Sequence, residues 1–98
     1  MKVYDKASWH IDGGENRTEV VSRFKAVFEF LQEKNMLTAD GLETLEYAMD
    51  SSASLNSRMV TAEGNDFLEK YYDDILAVTP TQIRKNLVEA YKEFTVEE

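Results

Sequence analysis

The chain has no cysteine. Disulfides, thiolate metal sites and a cysteine nucleophile are thereby excluded. No apolar run approaches the roughly 20 residues that span a bilayer. The opening Met1-Lys2-Val3-Tyr4-Asp5 lacks the apolar stretch of a signal peptide. A cytoplasmic protein with no membrane attachment is expected. Positive charge is scarce: 11 Lys and Arg face 19 Asp and Glu, for a net charge of −8. Proteins that bind nucleic acid need a basic footprint to neutralise phosphates, so no nucleic-acid partner is expected.

What is present is an acidic middle. Between Asp40 and Asp74 stand nine carboxylates against two cations, Arg58 and Lys70, so seven of the eight net negative charges lie there. A localised negative field attracts basic partners and repels nucleic acid and anionic lipid. Length and hydrophobic content, 98 residues and 43%, suit one packed domain over 1–98 with a radius of gyration of roughly 13 Å.

The spacing of apolar residues gives the architecture. Trp9 and Ile11 alternate with Ser8, His10 and Asp12, which predicts an extended segment. Gly13-Gly14 ends it, so residues 1–14 are read as an arm laying Trp9 on a helical core. Val20, Phe24, Val27, Phe28 and Leu31 share one face of a helix over 18–34. Asn16 or Thr18 caps its start, and Asn35 suits its left-handed end. A second helix over 39–50 begins at Thr38 or Asp40 and turns Leu42, Leu45 and Met49 inward. The Ser-rich stretch Asp50–Ser57 follows as a loop, because Ser, Asn and Asp side chains compete for backbone hydrogen bonds. A third helix over 62–77 starts at Thr61, with Phe67, Leu68, Tyr71, Tyr72, Ile75 and Leu76 on its apolar face. Thr79-Pro80-Thr81-Gln82 opens a fourth helix, which runs to about Phe94 and frays over Thr95–Glu98. The chain reads as free of internal repeats and linkers. The expected fold is all-α, a small four-helix bundle with an extended N-terminal arm.

Chemical motifs are few. His10, with Asp5, Asp12 and Glu15 nearby in sequence, matches many metal sites loosely and none specifically. Ser51, Ser52, Ser54 and Ser57 lack the base and oxyanion hole that a nucleophile needs, and no Gly-x-Ser-x-Gly elbow exists. The Asp50–Asn56 loop has oxygen ligands but neither the glycine nor the closing glutamate of a calcium loop. Gly13-Gly14 is not a phosphate loop. No catalytic residue, no metal and no cofactor are assigned. Tyr47, Tyr72 and Phe30 fall at the edges of their apolar stripes, where aromatics serve as interface anchors or rim a small core.

The run Tyr4-Asp5-Lys6-Ala7-Ser8-Trp9-His10 resembles the opening of an uncharacterised family of small bacterial proteins. Its members begin Tyr-Asp-x-Ala-x-Trp-His, followed by a glycine-containing stretch and helices. The resemblance implies no activity, cofactor or site residue. Some small acidic bacterial proteins of this general kind are immunity proteins, an analogy of type only.

These features point to a non-enzymatic interaction module that, as an immunity-type protein would, docks a basic protein through Glu43, Glu46, Tyr47, Asp50, Glu69, Tyr72 and Asp73. A metal-dependent hydrolase site around His10 is a second reading. A self-associating structural or regulatory subunit, a homodimer burying the wide faces of the first and third helices, is a third.

Overall fold

A computed structural model describes residues 1–77 and 79–96. Among the described residues seven elements follow one another: β1 Val3–Lys6, α1 Ala7–Asp12, α2 Arg17–Glu33, α3 Ala39–Tyr47, β2 Ser54–Asn56, α4 Ala62–Ile75 and α5 Pro80–Val96. The fold is mostly helical, but not purely so. β1 and β2 form a two-stranded antiparallel sheet. The Cα radius of gyration is 12.5 Å.

The helices begin where side-chain oxygens meet their free amides. Asn16, Thr38 and Thr61 each accept from the backbone N–H three residues on, at 3.2 Å. Thr79 accepts from Gln82 in the same way. Such caps satisfy amides that have no partner inside the helix. The end of α2 is closed by Asn35 at φ +57°. Its N–H donates to the Gln32 carbonyl, while Met36 N–H donates to Leu31 at 2.8 Å. This paired closure needs a residue that tolerates the left-handed region, which asparagine does.

The core lies where α5 packs against both α2 and α4. Phe30 stacks on Phe67, and Phe67 meets Tyr91 and Phe94 edge-on. The broad apolar faces of α2 and α4 are covered within this one chain: Val20, Phe24, Val27, Phe28, Leu31, Phe67, Leu68 and Ile75 are all buried. The surplus apolar surface that suggested a homodimer is therefore not left open on those faces.

Several expectations need correction. Residues 1–14 are not an extended arm but a strand followed by a helical turn, and Trp9 is 55% exposed. A helix over Ala7–Asp12 puts Ala7 and Ile11 on one face and turns Trp9 away. Six residues are too few for period alone to separate the two forms. Within the Ser-rich loop, Ser54–Asn56 forms β2, because Leu55 and Asn56 are buried against β1. Phe30 and Tyr72 are buried rather than at an edge, while Leu42 and Leu76 are exposed. Of the tail expected to fray, Thr95 and Val96 belong to α5; Glu97 and Glu98 lie outside the described residues.

The chain also holds an internal repeat, against expectation. Met36-Leu37-Thr38-Ala39-Asp40-Gly41 and Met59-Val60-Thr61-Ala62-Glu63-Gly64 agree in kind at all six positions. The structure pairs them with each other. Leu37 and Val60 form an antiparallel bridge. Thr38 N–H donates to the Met59 carbonyl at 3.0 Å and Thr61 N–H to the Met36 carbonyl at 2.8 Å. Each threonine caps its own helix, and each glycine faces the other stretch's backbone. A Cβ on Gly41 would collide with the Met59 carbonyl oxygen, and one on Gly64 would stand 3.0 Å from the Met36 carbonyl oxygen. The motif thus sets the starts of α3 and α4 against each other by near-twofold symmetry.

Candidate functional site

Two places gather polar chemistry. The first is around Asp5. The register between β1 and β2 shifts between Val3 and Asp5, and such a bulge re-aims side chains. Asp5 is buried, at 5% exposure. Its carboxylate accepts from Tyr72 Oη at 2.7 Å, from His10 Nε2 at 2.7 and 2.9 Å, and from Lys6 N–H at 2.8 Å. The other ring nitrogen of His10, Nδ1, lies 2.9 Å from Glu15 Oε2. Arg23 Nη2 donates to Glu15 Oε1 at 2.6 Å, and its Nη1 donates to the Ala77 carbonyl at 3.2 Å.

Both neighbours of the His10 ring are carboxylates, which only accept when ionised. Two simultaneous hydrogen bonds therefore require both ring nitrogens to carry protons. Burial works against that charge, but the bonds to Asp5 and Glu15, together with their charges, outweigh it and hold the His10 pKa above the usual 6.5. The Arg23 guanidinium, then His10, holds Glu15 below the usual carboxylate range. Burial, then the Asp5 charge, pushes the Tyr72 hydroxyl far upward, so it stays a donor. With Asp5 and Glu15 negative and His10 and Arg23 positive, the cluster is neutral. That balance offsets the desolvation that would otherwise make buried charge expensive.

A cavity of about 20 Å³ adjoins the cluster, lined by Asp5, His10, Arg23, Tyr72 and apolar side chains of α2, α4 and α5. That is room for about one water molecule. Among the described residues no serine, threonine or lysine lines it. Ser22 and Lys25 have the Ser-x-x-Lys spacing, but both stand exposed on α2. Both His10 nitrogens are engaged, and no group of three or more His, Asp or Glu among the described residues is placed to hold a metal ion. Asp12, grouped with His10 by sequence, is exposed and outside the cluster. The arrangement orients and holds charge.

The second place is the outer face of α3. All nine carboxylates between Asp40 and Asp74 are exposed. Asp40, Glu43 and Tyr47 line a groove of about 400 Å³ with Asn56, Arg58 and Met59, and Tyr47 is 77% exposed. Glu46 is exposed on the same helix. Asp50 follows in a turn, where its side chain accepts from Ser52 N–H at 2.8 Å. Glu69 and Asp73 belong elsewhere: they flank a separate groove of α4 with Lys2 and Tyr4, and Lys2 Nζ lies 3.3 Å from Glu69. Tyr72, expected among the interaction residues, is 8% exposed and committed to Asp5. The expected surface is therefore split, with only Glu43, Glu46, Tyr47 and Asp50 of the expected residues on or beside α3.

Of the sequence neighbours of His10, Asp5 and Glu15 join it and Asp12 does not, while Arg23 and Tyr72 have no signal near it in the sequence. Tyr72 lies 67 residues from Asp5, and nothing local in the sequence signals such a contact.

Comparisons with protein-family models, with curated proteins and with solved structures give no match to this chain.

Proposed function

We propose that this chain is a non-enzymatic, acidic interaction module of immunity type, acting in the cytoplasm and docking a basic protein through the α3 face. The observation that supports this reading is the exposed Tyr47 beside Asp40 and Glu43 in an open groove. An aromatic in an acidic setting suits a lysine or arginine side chain, which gains both charge pairing and a cation–π contact. The expected partner is a protein with a basic face and no nucleic acid. Complementary charge of this kind raises association rate and fades with salt.

The test is affinity capture from the native host, followed by mass spectrometry, at low and high salt. A basic protein retained at low salt and lost from a Glu43→Lys/Glu46→Lys variant supports the reading. Capture that neither salt nor charge reversal alters removes it. Glu69→Lys serves as a comparison, since Glu69 lies in the other groove and should matter less.

A further inference from the structure

We propose that His10, Glu15 and Arg23 form a proton-set clamp between the amino-terminal segment and the α4–α5 connection, closed while His10 is doubly protonated and released when its ring loses a proton. The geometry lays out the links in order. Asp5 of β1 and His10 of α1 hold each other at 2.7 Å, His10 holds Glu15 at 2.9 Å, Glu15 holds Arg23 of α2 at 2.6 Å, and Arg23 reaches the Ala77 carbonyl beyond α4 at 3.2 Å.

Loss of one ring proton to solvent leaves a single N–H for two carboxylates. Asp5 keeps it, because Asp5 is buried and cannot rehydrate, whereas the Glu15 side chain is 43% exposed. The bare Nδ1 then faces a Glu15 oxygen, an acceptor against an acceptor. Glu15 relieves this by turning to water, and Arg23 loses its carboxylate partner. The remaining bond to Ala77 is long for a charged pair. The groups facing His10 contain nothing that would supply the missing proton. β1 brings Asp5, α2 brings Arg23 and the Phe24 ring, its centroid 6.1 Å from that of His10, and α4 brings Tyr72 behind Asp5, with Asp73 acting on Tyr72. From α5 only Ile83 reaches the cavity. Release of Arg23 would unfasten one wall of that cavity and uncouple the first fifteen residues from the α4–α5 connection.

A pH titration of the full chain by nuclear magnetic resonance tests this. The His10 ring carbons, the Arg23 side-chain Nε and the Ala77 amide should shift together, with one midpoint above 6.5. In Glu15→Gln the side-chain amide can accept from a protonated ring or donate to a neutral one. The Arg23 and Ala77 shifts tied to His10 should then be lost while the ring still titrates. Glu15 is half-exposed, so this variant should keep the fold, checked by circular dichroism. Arg23 and Ala77 signals that stay flat while His10 titrates would overturn the clamp. So would a His10 midpoint at or below 6.5, or unchanged coupling in Glu15→Gln.

Discussion

Residues 36–41 and 59–64 hold the middle of the molecule by close fit between uncharged backbones, whereas Asp5, His10, Glu15 and Arg23 hold its amino-terminal corner by charge. The first contact rests on two glycines and two threonines and is indifferent to pH. The second depends on how many protons one imidazole carries. Backbone approach fixes helices that must not move, and an ionic cluster fastens a segment that conditions can loosen.

The largest effect expected is at Gly41. Its missing Cβ is what lets the Met59 carbonyl approach, and a backbone oxygen held by Thr38 N–H cannot step aside. Overpacking typically costs about 1–3 kcal/mol and sometimes more. Alanine gains back about 1 kcal/mol over glycine inside a helix. Gly41→Ala should still lose about 3 kcal/mol net, because a Cβ driven onto rigid backbone costs about 4 kcal/mol, beyond the ordinary range. Gly64→Ala should lose only about 1 kcal/mol, since its neighbours at 2.9 and 3.0 Å are nearer to accommodating it. Urea midpoints at unchanged slope read both losses. Equal losses would show that the twofold pairing is not as asymmetric as the distances make it.

Next comes Asp5→Asn. An amide keeps one acceptor oxygen, but its NH2 takes the place of the other, and Lys6 N–H, His10 and Tyr72 all donate to this position. One buried donor is left unsatisfied, and hydrogen bonds to charged groups are worth about 1.5–3 kcal/mol. A loss of about 2 kcal/mol is expected on that scale, with a fall in the His10 pKa visible in its ring resonances. A variant as stable as the parent, with His10 titrating as before, would mean that Asp5 does not anchor the cluster.

Much of the helical framework was legible in the sequence. The stripe from Val20 to Leu31 and the caps Asn16, Thr61 and Thr79 identify α2, α4 and α5, because helix period and capping are local properties. The strand β2 was hidden, since Ser54 and Asn56 look like loop residues until β1 pairs with them. The Met-x-Thr-Ala-x-Gly repeat stands in plain view in the sequence, but its meaning does not. Only the antiparallel bridge shows that the two copies face each other. Of the buried cluster, Asp5, His10 and Glu15 could be grouped, whereas Arg23 and Tyr72 arrive by tertiary folding. Tyr72 looked like an interface aromatic because its burial depends on a carboxylate 67 residues away.

The threonine caps refine the comparison inside the repeat. Each accepts from a glycine N–H at 3.2 Å, but Thr38 Oγ1 also donates to the Arg58 carbonyl at 2.6 Å. Loss of a cap typically costs about 1 kcal/mol. Thr61→Ala should lose about that much, and Thr38→Ala about 1 kcal/mol more for the second bond. Thermal midpoints of the two variants, measured side by side, decide the order. A larger loss at Thr61 would contradict it.

The smallest change is expected from Glu15→Gln at neutral pH, because a half-exposed ion pair contributes only about 0–1 kcal/mol. Its effect on pH dependence should be clearer than its effect on stability. His10 has a raised pKa in the folded chain, so its contribution is complete below about 6.5 and fades as pH rises through the folded value. Glu15 has a lowered one, so its contribution is present above its ordinary 4.5 and is lost as pH falls through the folded value. The parent should therefore show a stability plateau bounded on the acid side by Glu15 and on the alkaline side by His10. Glu15→Gln should soften both shoulders at once, since it removes one titrating group and one reason for the other's shift. Gly64→Ala, by contrast, should lower the whole curve without changing its shape. If Glu15→Gln also moved the curve rigidly, the amino-terminal corner would be held by fit after all, and the distinction between the two regions would collapse.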